Sequence, residues 1–272
     1  MIDRILEVLD GRRLSVLTGA GISTDSGIPD YRGPDSPPRS PMTYQQFVGD
    51  AAFRRHYWAR NHLGWRYIDA ARPNPGHRAL TGLERTGVVH GVITQNVDLL
   101  HTKAGSRHVI DLHGTYAQVR CLACEHRISR MTLAERLDAA NPGLAESMAV
   151  TTGVEIAPDA DAIVERTNDF RTVDCDRCGG ILKPDIVYFG ESVPKSRVEA
   201  GFQMLAETDA LMVVGSSLAV TSGLRFVRRA ARDGKPIVIV NRGATRGDKY
   251  ATIKAELGSS EVLVELEAAL PA

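Results

Sequence analysis

The stretch Thr18 to Gly33, TGAGISTDSGIPDYRG, opens as a dinucleotide-binding turn and then departs from one. Gly19 and Gly21 follow Leu14 to Thr18, an apolar run with the length of a short buried strand. A strand that delivers two glycines to a helix N-terminus lets backbone amides approach a pyrophosphate, whose charge the helix dipole favours. The third glycine of that fingerprint is missing, because Thr24 stands in its place. On its own the glycine pair fits an ordinary tight turn equally well. Five of the thirteen prolines then crowd into positions 29 to 41, so Ile28 to Pro41 reads as an irregular loop where the next strand of a dinucleotide fold would stand.

Working outward, Ile2, Ile5, Leu6 and Leu9 have helical spacing, and Gly11 can end that helix. The pattern predicts a helix over Tyr44 to Trp65, one opened by Pro75 and closed by Gly87, and a short one from Val97 to Ala104. Val88 to Thr94, Val109 to Leu112, Ala210 to Val214 and Pro236 to Val240 read as strands. The last two bracket a helix with Leu224, Val227 and Ala231 on one face. Strands alternating with helices imply an α/β fold with a Rossmann-like parallel sheet. The interval from Arg120 to Ile181 breaks the rhythm and is bounded by cysteine pairs. It reads as a smaller inserted module over 119–182, within a discontinuous main domain of 1–118 and 183–272 that closes with Val262 to Leu270.

Composition excludes several classes of function. Lysine plus arginine balances aspartate plus glutamate at 33 each, so no global field draws the chain to nucleic acid or anionic lipid. No apolar run approaches the ~20 residues of a membrane helix, and the N-terminus does not read as an export signal. A soluble, cytoplasmic protein is expected.

Four constellations carry chemistry. Cys121-x-x-Cys124 and Cys175-x-x-Cys178 use all four cysteines. Four thiolates in two knuckles satisfy tetrahedral zinc with no open position, which makes a structural site; a redox pair is the competing reading. Gln95-Asn96-Val97-Asp98 follows a strand, where amide and carboxylate groups suit a ribose or carboxamide, although Asn96 alone also fits a helix cap. His113 ends Val109 to Leu112, where an imidazole of pKa ~6.5 can take a proton; a structural histidine is the alternative. Gly215-Ser216-Ser217 and Asn241-Arg242-Gly243 lie just beyond apolar strands and could receive phosphate and adenosine groups, or be plain loops.

Together the blocks GAGIS, GIPDYRG, TQNVDLLH, LHG, the two C-x-x-C pairs, KPDIVYFGE, GSSLAV and NRG resemble the sirtuins, NAD-dependent protein deacylases, in order from about Leu14 to Leu266. The likeness is greatest to class II, the branch of mitochondrial-type and bacterial sirtuins, through His56 to Asn61 and HTKAGSR at His101 to Arg107. The resemblance implies a large Rossmann-like domain, a small module with one structural zinc, and NAD and an acyl-lysine peptide bound between them. It implies transfer of the acyl group to ADP-ribose, with nicotinamide and 2'-O-acyl-ADP-ribose released. His113 would then be the general base; Asn96 and Asp98 would hold ribose, water and carboxamide; Ile28 and Asp30 would line the nicotinamide pocket. Gly19, Ala20, Gly21, Ile22, Ser23, Tyr31, Arg32, Gln95, Gly215, Ser216, Ser217, Asn241, Arg242 and Gly243 would contact the rest of NAD, with a further contact near Ser259. Tyr31 stands where the family usually has phenylalanine. Val187, Tyr188, Phe189, Gly190 and Glu191, with Leu218 in Ser217 to Val220, would clamp the peptide backbone as strand-like neighbours.

Tyr57 and Arg60 are spaced i and i+3 on the expected Tyr44 to Trp65 helix. A Tyr-x-x-Arg pair reads acidic acyl groups in class III sirtuins, and a guanidinium fork beside a phenol can hold a carboxylate. A preference for longer or carboxylated acyl groups is therefore expected, against the alternative of a solvated helix face. Three rivals remain. A dehydrogenase would need an acidic residue ~20 positions after the glycines, where this chain has prolines. A zinc-ribbon nucleic-acid module is disfavoured by zero net charge. An ADP-ribosyltransferase on the same scaffold would differ only in the attacking nucleophile.

Overall fold

A computed structural model describes residues 1–33, 41–143 and 167–270 of the chain. They form two compact units, one of Met1–Pro38, Ala71–Leu112 and Val193–Ala272, the other of Arg39–Ala70 and His113–Ser192. The second unit is larger than the 119–182 module expected from sequence, because it also takes in the helical segment before Ala70 and the chain from His113 onward. No helix among the described residues is long and apolar enough to cross a membrane.

The first unit is built on β1 (Leu14–Thr18), β2 (Val89–Thr94), β3 (Val109–Asp111), β7 (Ala210–Val214), β8 (Ile237–Val240) and β9 (Ile253–Ala255). They pair in parallel in the order β3-β2-β1-β7-β8-β9. Every residue of β1, β7 and β8 is buried, as expected of parallel strands covered on both faces. Successive side chains alternate between those faces. Val16, Val92, Val214 and Val240 share one core with α1 (Ile2–Leu9), α4 (Pro75–Arg85) and α9 (Ser259–Ala269). Leu17, Ile93, Val213 and Ile239 face α7 (Lys195–Ala206) and α8 (Thr221–Arg232) on the other side. In α8 the buried face carries Leu224, Phe226, Val227 and Ala230, while Ala231 is only partly covered.

Three local expectations are corrected. The glycine turn does not open onto an α-helix; two short 3-10 turns, Ala20–Ile22 and Thr24–Ser26, follow and end at Gly27 with φ +83°. The Val97 to Ala104 helix is only α5 (Leu100–Ala104), because Leu99 adopts φ +62° and Asp98 Oδ1 accepts the Leu100 amide at 2.9 Å. The Tyr44 to Trp65 helix is two, α2 (Tyr44–Gly49) and α3 (Ala51–Ala70). Asp50 is extended, and its carboxylate accepts the Ala52 and Phe53 amides at 2.6 and 3.3 Å, which starts a new helix there. Of the loop expected over Ile28 to Pro41, residues 34–40 lie outside the described residues, as do 144–166 of the small module.

The second unit pairs β5 (Arg127–Ser129), β4 (Gly114–Cys121) and β6 (Leu182–Ile186) antiparallel in that order, with α6 (Arg130–Ala140) following β5. Arg130 ties α6 to α3. It is buried, lies 4.6 Å from the Trp65 ring centroid and donates to Asn61 Oδ1 at 3.1 Å.

Candidate active site

The register of the parallel sheet gathers the first group of residues. Thr18 is level with Thr94 and Val214, Thr94 with Asp111, and Val214 with Val240. The residues just beyond, Gly19, Gln95, Gly215 and Asn241, therefore emerge along one carboxyl edge. The strand order is that of a dinucleotide-binding sheet, wound outward in two halves from β1 and β7, whose switch point lies at this edge.

At that point the β1 and β7 loops interlock through backbone. Gly19 N donates to Val214 O at 3.1 Å and Gly21 N to Gly215 O at 2.9 Å. A Cβ on Gly19 would stand 2.8 Å from Gly215 O, and one on Gly215, at φ +60°, 2.4 Å from Ile22 N. The glycines are thus required by loop-on-loop packing, a role that their spacing alone does not reveal.

Side chains from the end of β2 stitch the loops together. Gln95 Nε2 donates to Ser216 Oγ at 2.7 Å, and Asn96 Nδ2 to Gly19 O and Ser23 Oγ, both at 3.1 Å. Ser23 Oγ in turn donates to Asp98 Oδ2 at 2.7 Å. Burial pushes the Asp98 carboxyl up, against the lowering effect of the Leu100 amide and Ser23. Ile28 is buried, and Asp30 Oδ1 accepts the Arg32 and Gly33 amides at 3.1 and 2.5 Å, closing a turn that leaves Tyr31 half-buried and Arg32 exposed.

The outer loops and α9 complete this edge. Ser217 O accepts the Arg246 amide at 3.1 Å, and Leu218, buried at φ +54°, donates its amide to Ser216 Oγ at 3.3 Å. The Asn241 side chain is turned on its own loop, donating to Arg242 O at 2.8 Å and Gly243 O at 3.1 Å; Arg242 itself is exposed. Ser259, expected only as a nearby contact, opens α9 with its hydroxyl 3.4 Å from Gly21 O.

Sequence reasoning missed three contributors. Asn74 caps α4 and donates to Ile22 O at 2.7 Å, so the helix start fixes the glycine loop; the Asn-Pro start signal was there to find. Thr18 Oγ1 bonds Thr94 Oγ1 and His101 Nε2, both at 2.9 Å, beneath the loops. Asp111 ends β3, and burial raises its carboxyl to about 6, with Arg197 lowering it and Asp98 raising it further. An acid closing an apolar run was its only sequence signal.

In the second unit, His113 O accepts the Val187 amide at 2.7 Å, and the half-buried ring follows β3 by two residues. Val187 to Glu191 is a short turn: Tyr188 N donates to Glu191 Oε2 at 3.0 Å, and Gly190 has φ +79°. Phe189 bridges to Thr43, with its O accepting the Tyr44 amide at 2.9 Å. The Glu191 carboxylate meets the buried Lys183 Nζ at 2.9 Å and Arg120 NH2 at 3.1 Å, so it anchors the turn.

Tyr57 and Arg60 are each engaged through other spacings. Tyr57 packs edge-on against Phe47, Trp58 and Tyr188 and accepts from Asn61 Nδ2 at 3.2 Å. Arg60 NH1 lies 2.9 Å from His56 Nε2, whose other ring nitrogen meets Thr167 Oγ1 at 2.9 Å. Both of these partners are one full helical turn away, at i and i+4. Burial, then Arg60, lowers the His56 pKa, which favours the neutral imidazole.

The four cysteines converge. Their sulfurs all lie within 4.8 Å of one another, with Cys121 to Cys178 at 3.5 Å and Cys124 to Cys175 at 3.8 Å. A disulfide would need about 2.05 Å. Four sulfurs about 2.3 Å from one tetrahedral zinc would be about 3.8 Å apart, so the donor set fits that ion. The knuckles are alike: Glu125 N returns to Cys121 O at 3.1 Å and Gly179 N to Cys175 O at 2.8 Å, both from positive φ. A Cβ on Gly180 would stand 2.8 Å from Cys121 Sγ, so only glycine leaves the cluster room.

This architecture is shared with known proteins. The Sir2 family profile matches residues 19–222. The chain is 64% identical over 262 residues to NAD-dependent protein deacetylase 1 of Mycobacterium avium, covering 96% of this chain and 93% of that protein. It is 51% identical over 255 residues to NAD-dependent protein deacetylase 1 of Streptomyces coelicolor, covering 93% and 84%. A solved Sir2 structure with a p53 peptide and NAD+ matches 98% of this chain and 98% of its own, at 29% identity and TM-score 0.70. A second, from work on the mechanism and regulation of Sir2 enzymes, matches 98% and 96% at 31% identity and TM-score 0.76. The chain belongs to the Sir2 family, the sirtuins.

Proposed function

We propose that this sirtuin is a class II, NAD-dependent protein-lysine deacylase that moves the acyl group from lysine to ADP-ribose, with one water consumed as the lysine C–N bond breaks, and releases nicotinamide, free lysine and 2'-O-acyl-ADP-ribose. The observation that carries the proposal is the stitched switch point, where Gln95, Asn96, Ser23 and Asp98 join the ends of β1, β2 and β7. NAD, when bound, supplies the sugar carbon that accepts the acyl oxygen as nicotinamide leaves. The interlocked loops at Gly19, Ala20, Gly21, Gly215 and Ser216 suit its pyrophosphate, and Ser217, Asn241, Arg242 and Gly243 suit its adenosine end. Asn96 and Asp98 hold ribose and carboxamide, with Ile28, Asp30, Tyr31 and Arg32 as cover. His113 takes the proton from a ribose hydroxyl, the role that an imidazole is suited to near neutral pH.

The Val187 to Glu191 turn of the second unit, and separately Leu218 of the first, offer backbone groups suited to an acyl-lysine peptide. The Cys121, Cys124, Cys175 and Cys178 thiolates hold zinc as a structural ion, a ligand set suited to the reducing cytoplasm.

Acyl choice is the finer part of the proposal. Arg60, held by His56, and Tyr57 favour longer or carboxylated acyl groups over acetyl. Mass spectrometry of products from NAD with acetyl, succinyl, glutaryl and lipoyl peptides tests this. The expected result is a faster reaction on the longer acyl groups, with Arg60→Ala lowering the carboxylated arms by about tenfold or more and leaving acetyl within about twofold. A strong acetyl preference unaffected by Arg60→Ala would overturn it.

A further inference from the structure

Although the chain carries no net charge, residues 225 to 249 hold eight Lys or Arg against two Asp. Three of these, Arg225, Arg228 and Arg232, are spaced i, i+3 and i+7 on α8 and share one face. They line a cavity of about 510 Å³ whose other walls are Phe202 from α7, Ala231, and Tyr250 at the end of the 3-10 turn Asp248–Tyr250. Such a volume suits a small molecule.

Among the described residues these charges have no partner of opposite sign. Among the described residues no carboxylate lines the cavity and no ion pair reaches Arg225, Arg228 or Arg232. The neighbouring Arg229 is paired to Asp233 at 2.8 Å and stacks 5.7 Å from the Phe202 ring. The helix dipole rewards cations in the last turn, which accounts for Arg229 and Arg232 but not for Arg225 or Arg228 nearer the start. Like charges along one helix face repel. Arg228 holds the Tyr250 phenol below its usual range, so that wall also favours negative charge.

The ligand can be narrowed by chemistry. Guanidinium forks pair with phosphate oxygens, and aromatic walls offer a face to a planar base. Arg225 and Arg232 are separated by about 10 Å along the helix axis, which calls for several phosphate groups in a chain. We propose that this cavity is a second binding site, separate from the glycine cradle, for a nucleoside polyphosphate whose base stacks on Phe202 or Tyr250 and whose phosphates lie along Arg225, Arg228 and Arg232.

Isothermal titration with GTP, guanosine and tripolyphosphate, in saturating ADP-ribose to fill the cradle, tests this. The expected result is one GTP per chain, with guanosine and tripolyphosphate each at least tenfold weaker. The Arg225→Ala, Arg228→Ala, Arg232→Ala variant should bind GTP at least tenfold more weakly, with its KM for NAD within twofold of wild type. Arg232→Glu, at an exposed position, should move GTP binding the same way in a folded chain. No saturable GTP binding, GTP binding unchanged in both variants, tripolyphosphate as tight as GTP, or tighter and steeply salt-dependent binding of a single-stranded oligonucleotide would each overturn the proposal.

Discussion

His77 lies in α4 with both ring nitrogens buried and without a partner among the described residues, its ring 4.8 Å from that of His101. Burial, reinforced by Arg78 and opposed by Asp25, lowers its pKa to about 4. Burial and then His77 lower that of His101 as well. An imidazole in the unfolded chain takes its proton near pH 6.5. Between pH 6.5 and about 4 the unfolded chain therefore binds protons that the folded chain refuses, and stability falls as the pH falls. At pH 4.5 this difference amounts to about 2.5 kcal/mol for His77 alone. The perturbation is His77→Phe, which keeps a ring in the site and removes the titration. Urea unfolding of both chains at pH 7.5 and 4.5 is the assay, and other titrations are common to both and largely cancel in the difference. The variant should lose about 2.5 kcal/mol less than wild type over that interval. Superimposable pH dependences would rule out His77 as the source of this pH dependence. The consequence reaches the site, because His101 bonds Thr18 Oγ1 directly beneath Gly19.

Other perturbations have equally definite outcomes. Asp98 carries a raised pKa, so its buried charge costs nothing below the unfolded carboxyl pKa of ~3.9 and weighs on the fold as pH rises through the raised value. Asp98→Asn should melt at higher temperature than wild type at pH 7.5 but not at pH 3.5, and should release no nicotinamide. Glu191→Gln leaves Lys183 buried without its countercharge and should cost about 3 kcal/mol or more by urea unfolding. Lys183→Met in that background should recover most of it. Atomic emission should find one zinc per chain in wild type and none in Cys121→Ser, and a strong chelator should erase part of the wild-type circular dichroism signal.

Where an element's residues were uniform in character, sequence located it closely. The apolar runs at Leu14, Ala210 and Pro236 mark parallel strands that are buried throughout, since burial on both faces favours apolar residues, whereas β6, equally buried, holds Lys183 and Asp185 and makes no such run. Helical spacing, in contrast, could not show that α2 and α3 part at Asp50, where one carboxylate changes role from helix interior to cap. Nor could it assign those helices to the second unit, which depends on contacts such as Arg130 with Trp65 across 65 residues of chain. The chemical blocks were legible as residue types. Their side-chain partners were not: the glycines fit each other's loops, Glu191 anchors its own turn, and Arg60 turns to His56.

We propose that this sirtuin spends NAD to move an acyl group, with His113 as the base. The most direct measurement is the stoichiometry of a single reaction followed by mass spectrometry: nicotinamide released, lysine freed and acyl-ADP-ribose formed. One of each is expected per NAD consumed, and a fall of about 100-fold or more in all three with His113→Ala. NADH as product, nicotinamide release uncoupled from lysine deacylation, or full activity in His113→Ala would contradict it.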